Sequence, residues 1–93
     1  MFVLLVGLTL KEGQEQPLER DYAGPFTTAI SSQEGFRHVS LLRPDDRGDY
    51  VLGIAFENQP LQQKWVASEL HGEVWSLMEG HLVEFTVKTY TTV

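Results

Sequence analysis

No cysteine occurs among the 93 residues. That excludes a disulfide framework, thiolate chemistry and a zinc ribbon, and it suits a reducing cytoplasm, where the chain is expected to work. Cations are also scarce: seven Lys and Arg against thirteen Asp and Glu leave a formal net charge of −6. A nucleic-acid partner needs clustered positive charge, and these seven are scattered, so none is expected. Long apolar runs are missing too. The oiliest stretch, MFVLLVGLTL at the start, has no basic flank and no small-residue cleavage site, and it is too short to span a bilayer. It reads as a buried strand, and no membrane partner is expected. The three histidines, His38, His71 and His81, show no metal-ligand spacing, and neither a phosphate loop nor a Ser-His-Asp order stands out. The acidic pair Asp45-Asp46 lies in P-D-D-R-G, which is turn composition rather than a metal site. No metal and no cofactor is expected.

What is present describes a small globular chain. A hydrophobic fraction of 42% with 22% charged residues is ordinary for one, and residues 1–93 leave room for a single domain. Phe2 to Leu10 is the first strand. Phe2, Leu4, Val6, Leu8 and Leu10 fall on one face and Val3 and Leu5 on the other, so both sides need cover. Phe36 to Arg43 and Asp49 to Phe56 form a hairpin around the Pro44–Gly48 turn. In the first of these, Phe36, His38, Ser40 and Leu42 share a face, opposite Arg37, Val39, Leu41 and Arg43. Arg37 and Arg43 share that face and could bind an anionic substrate, but a solvated or ion-paired edge is the preferred reading. His81 to Val93, rich in Thr and Val, is the fourth strand.

Two helical regions separate the strands. Between Gln14 and Gln33, Leu18, Tyr22, Phe26 and Ile30 recur at steps of four and form one apolar face. Gly24-Pro25 must kink or split that region, giving short helices near 14–22 and 25–32. The second region, from Asn58 to Gly80, organises the chain. Asn58 is an N-cap, Pro60 falls in the first turn, and Ser68 can break and re-cap the helix, since its hydroxyl competes for backbone donors. Leu61, Trp65, Leu70, Val74 and Leu77 or Met78 mark its apolar face, and Gly80 closes it. His81, just beyond, is placed to neutralise the helix C-terminus. Both tryptophans and His71 lie here, so this segment is expected to wall any pocket.

The order β-α-β-β-α-β with right-handed crossovers specifies an α+β, ferredoxin-like fold: a four-stranded antiparallel sheet with both helical regions on one face. The other face stays apolar in the first and third strands, and no further helix exists to cover it. A homodimer with sheets packed face to face is the economical answer, and His38 would face it.

GLTLKEG near the start, SSQEGFRHVSLLRPDDRGDYVLGIAFEN in the middle and QQKWVASELHGEVW after it together resemble the antibiotic biosynthesis monooxygenase (ABM) domain, over nearly the whole chain. The resemblance implies a dimeric α+β barrel with a pocket between helices and sheet in each subunit. Some members of that family oxidise quinols or polyphenolic compounds with O₂ and no metal or flavin. A sister group degrades haem, through an axial His nine or ten residues after a Trp. Counted from Trp65, those positions are Val74 and Trp75, so the haem ligand is missing here. In the oxygenase members an aromatic residue corresponds to Trp65, a Tyr lies near the place of His71, and an Asn one turn before the Trp corresponds to Leu61. The function expected on this footing is cofactor-independent oxidation of a small phenolic or quinol substrate. Trp65 and His71 would act on it, and Tyr22, Phe26, Phe56 and Trp75 would line its pocket. A non-catalytic ligand-binding or structural dimer of the same fold is the alternative class.

Overall fold

The computed structural model describes all residues 1–93. Its strands are β1 (Phe2–Leu10), β2 (Phe36–Leu42), β3 (Tyr50–Phe56) and β4 (Leu82–Thr91), in the sheet order β2-β3-β1-β4. Every pairing is antiparallel. The oily start of the chain thus becomes a central strand, hydrogen-bonded on both edges. Register sets Leu4 opposite Ile54, Val6 opposite Leu52 and Leu8 opposite Tyr50. All six are buried on the face that the helices cover.

The first helical region runs without the break that Gly24-Pro25 suggests. Helix α1 (Glu15–Asp21) passes through one wide π-helical turn (Tyr22–Phe26) into α2 (Thr27–Ser31). A π-turn moves the hydrogen-bond ladder by one residue and so absorbs the missing Pro25 N–H without parting the helix. Leu18, Phe26 and Ile30 remain on one buried face across it. The second region splits as its serine suggests. Asn58 Oδ1 accepts from the Leu61 N–H at 3.0 Å and opens α3 (Gln59–Val66); Ser68 Oγ accepts from the His71 N–H at 3.1 Å and opens α4 (Glu69–Glu79).

Three local expectations are corrected. A register shift between Phe36 and His38 turns Phe36 away from the His38 face; it packs edge-on against Phe56, with centroids 6.1 Å apart, and joins the core. In α4 the inward residues are Val74 and Met78, while Leu70 and Leu77 are exposed, because the restart at Ser68 resets the helical phase. Gly80 closes α4 as expected, at φ −58° and so without the left-handed turn common at helix ends. The left-handed glycines are Gly13 and Gly35, and at Gly35 a Cβ would stand 2.5 Å from Leu61 Cδ1. His81 does more than sit at a helix terminus: its Nε2 meets Asp21 Oδ2 at 2.7 Å and its Nδ1 meets Gln14 Oε1 at 2.9 Å, tying α1 to the root of β4.

Charged side chains fasten α1 to the hairpin as well. Glu19 accepts two hydrogen bonds from the Arg43 guanidinium and one from the Tyr50 hydroxyl. Arg37 pairs with Glu57 at 3.6 Å, so both arginines of β2 and its exit are in ion pairs, as their shared edge suggests. The Asp45-Asp46 segment is a turn in which Asp46 Oδ1 accepts from the Gly48 N–H. Arg43, and after it Tyr50, holds the Glu19 carboxyl at about 2, below its ordinary 4.5. A carboxylate with a depressed folded pKa stabilises the native state fully above its unfolded pKa and loses that contribution as pH falls toward the folded one. Between about pH 5 and pH 3 the urea midpoint of the native chain is therefore expected to fall more steeply than that of Glu19→Gln. Parallel slopes for the two proteins would rule out this contribution.

Candidate functional site

An apolar cavity of about 330 Å³ lies between the second helical region and the sheet. The sheet supplies Leu4, Val6, Leu52 and Ile54 from β1 and β3, with Phe85 and Val87 from β4. Phe26 enters from the π-turn, Gln62, Trp65 and Val66 from α3, and His71 and Trp75 from α4. Ten of the twelve lining residues are hydrophobic, and none carries a formal charge at neutral pH unless His71 is protonated. The size is near the lower end of small-molecule sites, and the lining is of the kind that such sites use.

The break between the helices places the central pair. Ser68 Oγ donates to the Trp65 carbonyl at 2.7 Å while accepting from the His71 N–H. One hydroxyl thus caps the end of α3 and the start of α4, and brings their side chains together. The Trp65 and His71 rings stand edge to face, centroids 5.1 Å apart and planes 89° apart. Trp65 is 2% exposed and also meets Phe26 edge-on at 6.5 Å. Trp75 packs against Phe85 of β4 in the same manner at 5.1 Å. Burial lowers the His71 imidazole below its ordinary 6.5, because a low-dielectric wall disfavours the cation. The ring is therefore neutral at pH 7, with one nitrogen free to accept a proton.

Of the six residues singled out from the sequence, four meet at this cavity: Trp65, His71, Phe26 and Trp75. Trp65 and Trp75 do face one space, which the helix break at Ser68 made impossible to read from spacing alone. Tyr22 and Phe56 do not line it. Tyr22 stacks on the outer side of Phe26, with centroids 6.3 Å apart, and its burial raises its hydroxyl pKa. Phe56 is fully buried at the end of β3 against Phe36, so both support the wall from behind. Gln62, Phe85 and Val87 line the cavity without having been singled out. The alternation of β4 placed the last two on one face; Gln62, three residues before Trp65, looks in sequence like a solvent residue of a helix.

A second, larger and polar depression lies by the β2–β3 turn and holds Glu19, Arg43 and Tyr50. Those three side chains are bonded to one another, as described for α1. Nowhere do three His, Asp or Glu side chains gather closely enough to hold a metal ion, and no helix is long and apolar enough to cross a membrane.

A ferredoxin-like sheet with a partly open aromatic cavity under its second helical region defines a class of small α+β proteins. Within that class, residues 1–75 match the antibiotic biosynthesis monooxygenase family, and the chain belongs to it. No curated protein matches the chain. Among solved structures, a Nitrosomonas europaea protein bearing the same family name superposes with a TM-score of 0.85 at 15% identity, covering 100% of this chain and 99% of its own. SnoaB, a cofactor-independent oxygenase from Streptomyces nogalater, superposes with 0.82 at 18% identity, covering 99% and 93%. A conserved protein from Methanosarcina mazei Go1 gives 0.82 at 11%, covering 100% and 94%. At these identities the likeness is one of fold.

Trp65 sits in the core as well as in the cavity wall, so removing it has a structural cost. Trp65→Ala is expected to lower stability by about 3–5 kcal/mol in urea denaturation, the range for truncating a buried aromatic. A loss below about 1 kcal/mol would show that Trp65 is not packed as described.

Proposed function

We propose that the chain is a cofactor-independent monooxygenase for a small phenol or quinol. The observation that carries this reading is the His71 imidazole, kept neutral by burial, in a cavity walled by Trp65 and Trp75. Fold likeness to SnoaB, itself a cofactor-independent oxygenase, is consistent with it. Trp65, with Trp75 and Phe26, forms the aromatic wall against which the substrate ring lies. His71 accepts the phenolic proton, and the electron-rich phenolate passes one electron to O₂. The resulting radical pair joins at a ring carbon as a peroxide. Loss of water from that peroxide leaves a carbonyl, with the His71 proton returned to the departing oxygen. For phenol itself the balance is C₆H₆O + O₂ → C₆H₄O₂ + H₂O, so the substrate supplies all four electrons. A substrate ring that fills the apolar cavity displaces water from around the phenolate, which favours the first electron transfer.

His71→Ala is expected to lower O₂ uptake with naphthol or quinol substrates by about a hundredfold or more, as loss of a general base does. A base must be unprotonated to work. The native kcat/KM is therefore expected to be flat above about pH 6.5 and to fall in acid, with its midpoint below the ordinary imidazole value. Turnover unchanged in His71→Ala, or a midpoint set by the phenol far above 7, contradicts the assignment. Binding without any turnover favours a non-catalytic ligand carrier of the same fold.

The working unit in this proposal is a homodimer joined through the open sheet face. Leu5 and Leu42 stand exposed there with no helix over them, and Tyr90 lies on the same side of β4. Two such sheets packed together would bury that surface. Sedimentation velocity at micromolar concentration is expected to give a dimer, and Leu5→Arg a shift toward monomer. A well-folded native monomer under those conditions contradicts this assembly.

A further inference from the structure

The cavity holds two polar side chains, and the mechanism above uses only His71. The other is Gln62, the one polar residue among the 17 that are buried, with 8% of its surface exposed. Its position follows from the first turn of α3. Leu61, capped by Asn58 through its N–H, sends its side chain toward Gly35 at the foot of β2. The next residue round the helix, Gln62, then shares the cavity side with Trp65, three positions on. Its main-chain N–H is taken by the Asn58 carbonyl at 3.3 Å. Its carboxamide has no partner in the chain, and no side-chain polar atom is both sealed off and unpaired. The amide therefore keeps accessible surface of its own, on a residue that lines the cavity. A carboxamide in an apolar wall is unfavourable until something in the cavity bonds to it.

The remaining lining restricts what that something is. With no Asp, Glu, Lys or Arg present, an ionic group entering would find no counter-charge. A volume of about 330 Å³ equals that of about eleven liquid waters, which suits one ring or two fused rings. The carboxamide offers an acceptor oxygen and two N–H donors, so hydroxyl and carbonyl oxygens are both served.

We propose that Gln62 is the specificity-determining residue of the cavity, bonding a second oxygen of an uncharged mono- or bicyclic phenol whose first oxygen His71 engages. This rests on the reading of the cavity as a phenol site, and the test separates the two. Isothermal titration calorimetry under argon reads binding without turnover, with 1-naphthol compared against 1,4-, 1,5- and 2,6-dihydroxynaphthalene. For the native chain the best diol is expected to bind about fivefold more tightly than 1-naphthol, the gain of one added hydrogen bond. In Gln62→Met, which keeps the volume, that gain disappears while 1-naphthol affinity changes less than about twofold. A purely structural role would weaken both ligands alike. If Gln62→Met does not fold, Gln62→Asn, shorter by one methylene, is expected to lose the gain as well. No advantage for any diol in the native chain, or an advantage that survives in the variant, overturns the role of Gln62 and leaves the phenol site standing. Failure of every ligand to bind overturns the phenol site, and this inference with it.

Discussion

One hydroxyl governs the cavity. Ser68 stands where a single long helix would have continued, and its Oγ serves both sides of the interruption, donating to the Trp65 carbonyl and accepting from the His71 N–H. Without that break, His71 would lie six residues on from Trp65 on one cylinder, about 600° of rotation, and so some 120° away round the axis. With it, the two rings meet edge to face at 5.1 Å. The same reset turns Val74 and Met78 inward and leaves Leu70 and Leu77 outside. The break thus exchanges continuous helix for a cavity corner where an imidazole is held against an indole.

The polar interactions of the chain are kept away from that corner. Glu19 with Arg43 and Tyr50, and His81 with Asp21 and Gln14, bind α1 to the β2–β3 hairpin and to the root of β4. These contacts close one end of the helical layer over the sheet. The cavity is lined by carbon, two indoles, one imidazole and one carboxamide, with no permanent charge. Such a division lets burial act on His71 alone, lowering its pKa without a competing carboxylate to raise it. An uncharged aromatic ligand is the kind of occupant that this environment accepts at least cost.

Much of this was legible in the residues. Period-two alternation located the four strands, and right-handed crossovers then put both helical regions on one face of an antiparallel sheet. The side-chain oxygens of Asn58 and Ser68 marked both helix starts because capping is local chemistry. What escaped depends on tertiary context. Pro25 is ordinarily a breaker, but a π-turn can carry it when Phe26 must reach the core and Ile30 must stay in line. Phe36 keeps strand alternation in sequence, yet a one-residue register shift sends it to Phe56. The partners of His81 are 60 and 67 residues away, beyond any local pattern. At the candidate site, Trp65, His71, Phe26 and Trp75 were visible as aromatic groups on helical faces, whereas Tyr22, on the face of Phe26, and Phe56, at the end of β3, do not reach the cavity. Gln62 was invisible for the opposite reason: a polar residue in a polar run gives no sign of being turned inward.

A crystal structure of the chain soaked with 1-naphthol tests the central claim most directly. The account predicts the ring enclosed between Trp65, Trp75 and the sheet, with its hydroxyl within hydrogen-bonding distance of a His71 ring nitrogen. A naphthol seated elsewhere, or a cavity closed by collapse of Trp75 and Phe85 onto the sheet, would contradict it.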